Sequence, residues 1–135
     1  MENKINLEIV TPTGSALSTK VESVTIPGTL GQFQILYNHA PLLSSFEIGV
    51  IKIKENGVEK KYATSGGTVE VKKNHVIVLA ETFESEDEID VDRAKKAYER
   101  AKERLEKKDK NIDIARAEAA LARAMNRLKL KNISI

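Results

Sequence analysis

The chain has 135 residues, room for one ordinary domain with a small appendage and too few for two full domains. It contains no cysteine and no tryptophan, which excludes disulfides and thiolate metal sites and requires an aliphatic core. The formal net charge of +2 conceals a polarity: residues 81–92 carry seven acids and no base, residues 93–135 fourteen bases and six acids. The basic end therefore suits an acidic surface or an anionic ligand.

All seven glycines and all three prolines lie at or before Gly67. Both residues punctuate strands and turns and are costly inside helices, so the chain reads as two modules, residues 1–84 and 85–135. In the first, apolar residues alternate in short bursts: Ile5, Leu7 and Ile9, then Val24 and Ile26, Ile51 and Ile53, Val69 and Val71. The run Val76-Ile77-Val78-Leu79 reads as a strand buried on both faces. Turn signals at Pro12-Thr13-Gly14, Pro27-Gly28, Asn56-Gly57 and Lys73-Asn74-His75 separate the bursts, and Asn56-Gly57 is a strong hairpin signal. Many short strands at this spacing predict a β-sandwich or flattened barrel.

Nothing in this module suggests catalysis. His39, in Tyr37-Asn38-His39-Ala40-Pro41, reads as part of a structural turn whose imidazole bonds nearby backbone, and His75 as an exposed turn residue. Neither has a Cys, a second His or clustered carboxylates to work with. Ser65-Gly66-Gly67 lacks the Gly-Lys-Ser/Thr and the helix of a phosphate loop, which leaves a bulge or tight strand bend.

Beyond residue 85 the period changes to 3.6. Val91, Ala94, Tyr98, Ala101 and Leu105 form one apolar stripe, and Ile114, Ala117, Leu121, Ala124 and Leu128 a second. Lys107-Lys108-Asp109-Lys110-Asn111 interrupts them, with Asn111 the expected N-cap. The short connection predicts an antiparallel helix hairpin, giving an α+β chain: an all-β sandwich followed by two helices. Alanine-rich faces let the helices approach closely but bury little area on the sandwich, so the hairpin reads as a movable part.

On an ideal helix Arg93, Arg100 and Arg104 lie within about 40° of one another, as do Arg116, Arg123 and Arg127. Folding the hairpin about Lys110 brings Arg93 opposite Arg127 and Arg100 near Arg123, beside Asp90. Two readings remain open on spacing alone. One is a guanidinium cage for an anion such as a polyphosphate. The other is a solvated face with the arginines paired to Glu99, Glu103 and Glu118.

Ile89-Asp90-Val91-Asp92-Arg93-Ala94, with Arg123-Ala124-Met125-Asn126-Arg127, resembles the nucleotide-binding signature of bacterial epsilon subunits of the F-type ATP synthase. Gly31-Gln32-Phe33-Gln34-Ile35-Leu36-Tyr37-Asn38-His39-Ala40-Pro41 and Ser65-Gly66-Gly67-Thr68-Val69 are similar to two further segments of that family, Gln32, Gln34 and Tyr37 being departures from its pattern. The resemblance spans essentially the whole chain. It implies a non-catalytic rotor subunit whose sandwich binds the gamma subunit and the c-ring, on the cytoplasmic face of the cell membrane, without inserting into the membrane. It further implies a hairpin that lies folded on the sandwich or extends to acidic segments of the catalytic β subunits and blocks ATP hydrolysis. ATP, with ADP as the alternative, would be the regulatory ligand of the folded state. Arg93, Arg100, Arg123 and Arg127 would serve the phosphates. Asp90, the Ile89 backbone and Glu84 would serve the adenosine end, with Ala94 keeping the helix surface low. No carboxylate pair marks a magnesium site, so the metal stays open. Two alternatives stand beside this: an inhibitory hairpin without nucleotide sensing, and a basic hairpin binding nucleic acid. The second lacks stacking aromatics apart from Tyr98.

Overall fold

The computed structural model describes residues 3–107 and 112–134. The alternating bursts become strands β1 (Ile5–Thr11), β3 (Ser23–Gly28), β6 (Gly49–Glu55), β8 (Gly67–Lys72) and β9 (His75–Ala80). Between and after them lie β2 (Gly14–Val21), β4 (Gly31–Leu36), β5 (Leu42–Phe46), β7 (Val58–Thr64) and β10 (Phe83–Ser85). A turn of 3-10 helix at Glu86–Glu88 leads into α1 (Val91–Lys107), and α2 (Ile114–Leu130) follows.

The strands run β10-β7-β6-β3-β5-β8-β9-β1-β2, with β4 also on β3. Only one residue pair, Gly28 with Phe46, joins β3 to β5, so the sheet folds there into two layers. Opposite this fold, the Thr19 hydroxyl of the edge strand β2 donates to the Glu55 carboxylate of β6 at 3.0 Å, tying the two layers together. The result is the expected sandwich, a nearly closed flattened barrel. Its core is aliphatic: Ile5, Leu7, Ile9, Val24, Ile26, Ile51, Val69, Val71, Val76 and Val78 are buried, with Phe46 among them.

Turn chemistry follows the sequence at two places. Asn56 and Gly57 (φ 51° and 79°) and Lys73 and Asn74 (φ 49° and 63°) take the left-handed conformations of type I′ hairpins. His39 also fits its expected part: its N–H donates to Leu36 O at 3.1 Å, and its Nδ1 contacts Ala40 O at 2.7 Å as donor. His75 is exposed at the start of β9. The bend at Ser65-Gly66-Gly67 is a close backbone approach, since a Cβ on Gly67 would run into the Leu79 carbonyl oxygen.

Two expectations change. Pro27 and Gly28 end β3 rather than make the turn, which falls on the next two residues because Gly28 pairs with Gly31. The run 76–79 is buried on one face only: Val76 and Val78 point inward while Ile77 and Leu79 are 42% and 51% exposed. Among the described residues no helix layer covers that face, because α2 leans on β6 and β7 instead.

The helix stripes meet each other through Ala94, Ala101, Ala117, Ala124 and Leu128, all buried. Ile114, expected on the second stripe, is exposed, because it opens α2 at the end away from the docking contact. That contact is small: Ala63 of β7, Ile89 and Leu130, flanked by Val50. Burying one Leu and one Ile at about 1.5–3 kcal/mol each gives a hold of only a few kcal/mol. The interruption at 108–111, with Lys110 and Asn111, lies outside the described residues, but the N-cap of α2 is Asp113 and not the expected Asn111, because the helix starts at Ile114.

Candidate functional site: an arginine-lined cleft between the helices

The start of α1 is fixed by its own sequence. Asp90 Oδ1 accepts from the Arg93 N–H at 3.1 Å and Asp90 O from the Ala94 N–H at 3.0 Å, an N-cap that satisfies otherwise orphaned donors. Just upstream, the Ser85 N–H donates to Glu88 Oε1 at 3.2 Å within a capping box. The cap of α2 is Asp113, whose Oδ1 accepts from the Arg116 N–H at 3.1 Å. Replacing Asp90 with Ala should cost α1 about 1 kcal/mol, read as faster amide exchange at Arg93 and Ala94 with the strand amides unchanged.

Between the helices and β10 lies a cleft of about 410 Å³. One wall is Arg93, Ala94, Ala97 and Arg100 of α1, the other Ala120, Arg123 and Arg127 of α2, and the remaining border is Thr82, Glu84, Glu88 and Asp90. Arg93 from the beginning of α1 thus meets Arg127 from the end of α2, as antiparallel helices require. Seven of the eight nominated residues line this one cleft: Glu84, Asp90, Arg93, Ala94, Arg100, Arg123 and Arg127. Ile89 does not. Its side chain is buried in the docking contact, and its N–H is directed at Glu86 O, 3.4 Å away.

Sequence reasoning missed Thr82, Glu88, Ala97 and Ala120. Helical spacing could have found the alanines, since Ala97 falls between Arg93 and Arg100 on one face and Ala120 lies three residues before Arg123. Thr82 and Glu88 precede the helices, where no period exists to carry them.

Charge pairing in the cleft is incomplete. Arg127 Nε donates to Glu84 Oε1 at 2.7 Å, with the two side chains 26% and 29% exposed. Among the described residues the guanidinium groups of Arg93, Arg100 and Arg123 make no ion pair. Their expected surface partner Glu103 is bonded to Lys107 at 2.8 Å, and that hydrogen bond and charge hold its carboxyl below the usual range. Asp90 already has a cap to serve. The cleft therefore presents three forks from two helices with no ion pair among the described residues, with alanines between them leaving space and Glu88 and Asp90 at the border. Such a donor set is fitted to oxyanions.

A wider recess of about 800 Å³ lies on the other side of α2. It is lined by Lys52, Lys60, Lys61 and Lys129 with Glu59, Glu86 and Asp87, the same balance of bases and acids as the arginine cleft, but lysine is a point charge without the planar fork of arginine. It is the wider of the two, and the planar forks favour the arginine cleft for an oxyanion.

Comparison with known proteins agrees with this architecture. The family model "ATP synthase, Delta/Epsilon chain, beta-sandwich domain" matches residues 4–86, and "ATP synthase, Delta/Epsilon chain, long alpha-helix domain" matches residues 87–132. The ATP synthase epsilon chain of Desulfitobacterium hafniense (strain Y51) is 50% identical over 105 residues, 78% of this chain and 80% of that one. The epsilon chain of Carboxydothermus hydrogenoformans is 48% identical over 105 residues, 78% of each chain. In fold, the chain is similar to one in the Euglena gracilis mitochondrial ATP synthase structure containing OSCP, F1 and c-ring: TM-score 0.82, 22% identity, covering 93% of this chain and 80% of that one. Among the described residues no helix is long and apolar enough to cross a membrane. A strand sandwich carrying two helices, matched over residues 4–132 by the two models in turn and 50% identical over 105 residues to an epsilon chain, belongs to the ATP synthase delta/epsilon family, as an epsilon-type chain.

Proposed function

We propose that this chain couples rotation to ion flow by seating its sandwich on the gamma subunit and the c-ring, at the cytoplasmic face of the membrane. On this reading the hairpin is a regulatory arm. Folded on the sandwich it binds ATP in the arginine cleft; extended, its basic helices reach acidic segments of the catalytic β subunits and hinder ATP hydrolysis. The observation that carries the nucleotide part is the convergence of Arg93, Arg100, Arg123 and Arg127 on one cleft, three of them without an ion pair among the described residues. Its volume falls in the ordinary range for small-molecule sites. Arg93, Arg100 and Arg123 are available to the phosphates, Ala94 leaves room beside them, and Glu84 and Asp90 border the same space.

The energetics allow a switch. A ligand that binds only the folded state, present at a hundred times its dissociation constant, adds about 2.7 kcal/mol. This is comparable with the docking contact of Leu130, Ile89 and Ala63, so the nucleotide level sets the population.

Two measurements test this. Truncation after Glu88 in the assembled ATP synthase is expected to raise ATP hydrolysis several-fold, and no increase would remove the inhibitory arm. Titration of the full chain with millimolar ATP is expected to release calorimetric heat and shift the amide resonances of α1 and α2. A silent titration alongside raised hydrolysis would leave an inhibitory hairpin without nucleotide sensing.

A further inference from the structure

The arginine cleft depends on how α2 is rotated on the sandwich, and an apolar contact of a few side chains cannot fix that by itself. Leu130 against Ala63 and Val50 is non-directional. A modest turn of α2 keeps Leu130 against Ala63 and Val50 yet swings Arg123 and Arg127 along the cleft border, because the side chains of a helix turn as one body. A directional bond narrows that freedom.

The structure assigns that role to Asn126. Its Nδ2 donates to the backbone carbonyl of Gly49 at 2.7 Å, a half-buried bond between residues 77 apart in the chain. Gly49 opens β6 and is locked from the far side: it pairs with Thr64, and a Cβ there would fall 2.7 Å from Pro27 Cβ. The acceptor is thus a fixed point of the sandwich. From Asn126, ideal helical spacing puts Arg123 about 60° and Arg127 about 100° to one side, and Lys129 about 60° to the other. The lining residues agree: Arg123 and Arg127 border the arginine cleft, while Lys129 borders the wide recess and Asn126 stands at its edge. Asn126 therefore acts as a positioning residue for the cleft. It touches no proposed ligand atom, and it aims α2's two arginines, including the Arg127 fork that meets Glu84.

The ligand part of the test rests on the ATP reading above; the ion-pair part does not. In the full chain without nucleotide, the Arg127 Nε–H, held by Glu84, should exchange slowly with water by NMR. In Asn126→Ala it should exchange at least tenfold faster, with the strand amides of the sandwich unaffected. Unchanged exchange overturns the assignment. With ATP added, Asn126→Ala should leave the Arg93 and Arg100 Nε–H signals responsive while those of Arg123 and Arg127 need at least tenfold more nucleotide. Loss of all four responses by one common factor would mean general destabilisation and would overturn a positioning role. If Asn126→Ala does not fold, Asn126→Asp, isosteric but without the donor at neutral pH, carries the same two readings. A wild-type chain indifferent to ATP, with Arg127 exchange accelerated in the variant, would sink the nucleotide reading and keep this one.

Discussion

Replacing Arg93 or Arg127 with Ala is expected to weaken ATP binding by at least tenfold, with Arg127→Ala the more damaging. A charge-assisted hydrogen bond is worth about 1.5–3 kcal/mol, and 1.4 kcal/mol is one decade in affinity. Arg93 makes no ion pair among the described residues, so its removal costs only the ligand contact. Arg127 is different because it neutralises Glu84 at 2.7 Å. Without it a carboxylate stands unpaired beside the place where phosphates are to sit, and repulsion adds to the lost bond. The double variant Glu84→Gln/Arg127→Ala should therefore recover part of the affinity lost in Arg127→Ala, a coupling that a double-mutant cycle resolves. Calorimetry on the isolated chain measures these three and the Glu84→Gln single variant that completes the cycle. Binding within twofold of the parent in both single variants would mean that the cleft does not hold the phosphates.

Gly67→Ala is expected to be the most destabilising single-methyl change in the sandwich. The new Cβ would meet the Leu79 carbonyl oxygen, with Leu79 C at 2.9 Å and Phe46 Cζ at 3.0 Å. Gly67 pairs with Phe46 on one side and Ala80 on the other, so neither neighbouring strand has room to withdraw. Steric overlap together with the unfavourable φ of 156° should cost about 2–4 kcal/mol, seen by calorimetry as a fall in Tm of roughly 10 °C or more. Gly57→Ala is the control. It sits at φ 79° with nothing within 4 Å of the added carbon, so only backbone strain of about 1 kcal/mol should appear. Equal effects at the two sites would show that the close approach at Gly67 relaxes freely.

Where physics is local, the sequence spoke clearly. Period-two alternation found β1, β3, β6 and β8 because Ile5, Leu7, Val24, Ile26, Ile51, Ile53, Val69 and Val71 all face the core, and Asn56-Gly57 marked its hairpin through backbone sterics alone. Counting outward from the helix turn brought Arg93 to Arg127, since 3.6-residue geometry is rigid. Other features depend on what a segment meets in three dimensions. β2 is mostly exposed, so it carries little alternation. Ile77 and Leu79 look like core until the helices are seen to cover other strands. The Glu84–Arg127 pair and the Asn126–Gly49 bond join residues 43 and 77 apart in the chain, and no periodicity encodes such distances. The Glu103–Lys107 pair, by contrast, was legible from its i,i+4 spacing on one helix.

β10 has a consequence for protein engineering. The strand pairs with β7 through Phe83, Glu84 and Ser85, yet its Glu84 borders the cleft that the helices enclose. A chimera that grafts this hairpin onto a foreign sandwich at the start of α1 would import the arginines and leave their counter-charge behind. The splice has to fall upstream of Thr82, or the recipient must already offer a carboxylate at the corresponding rung.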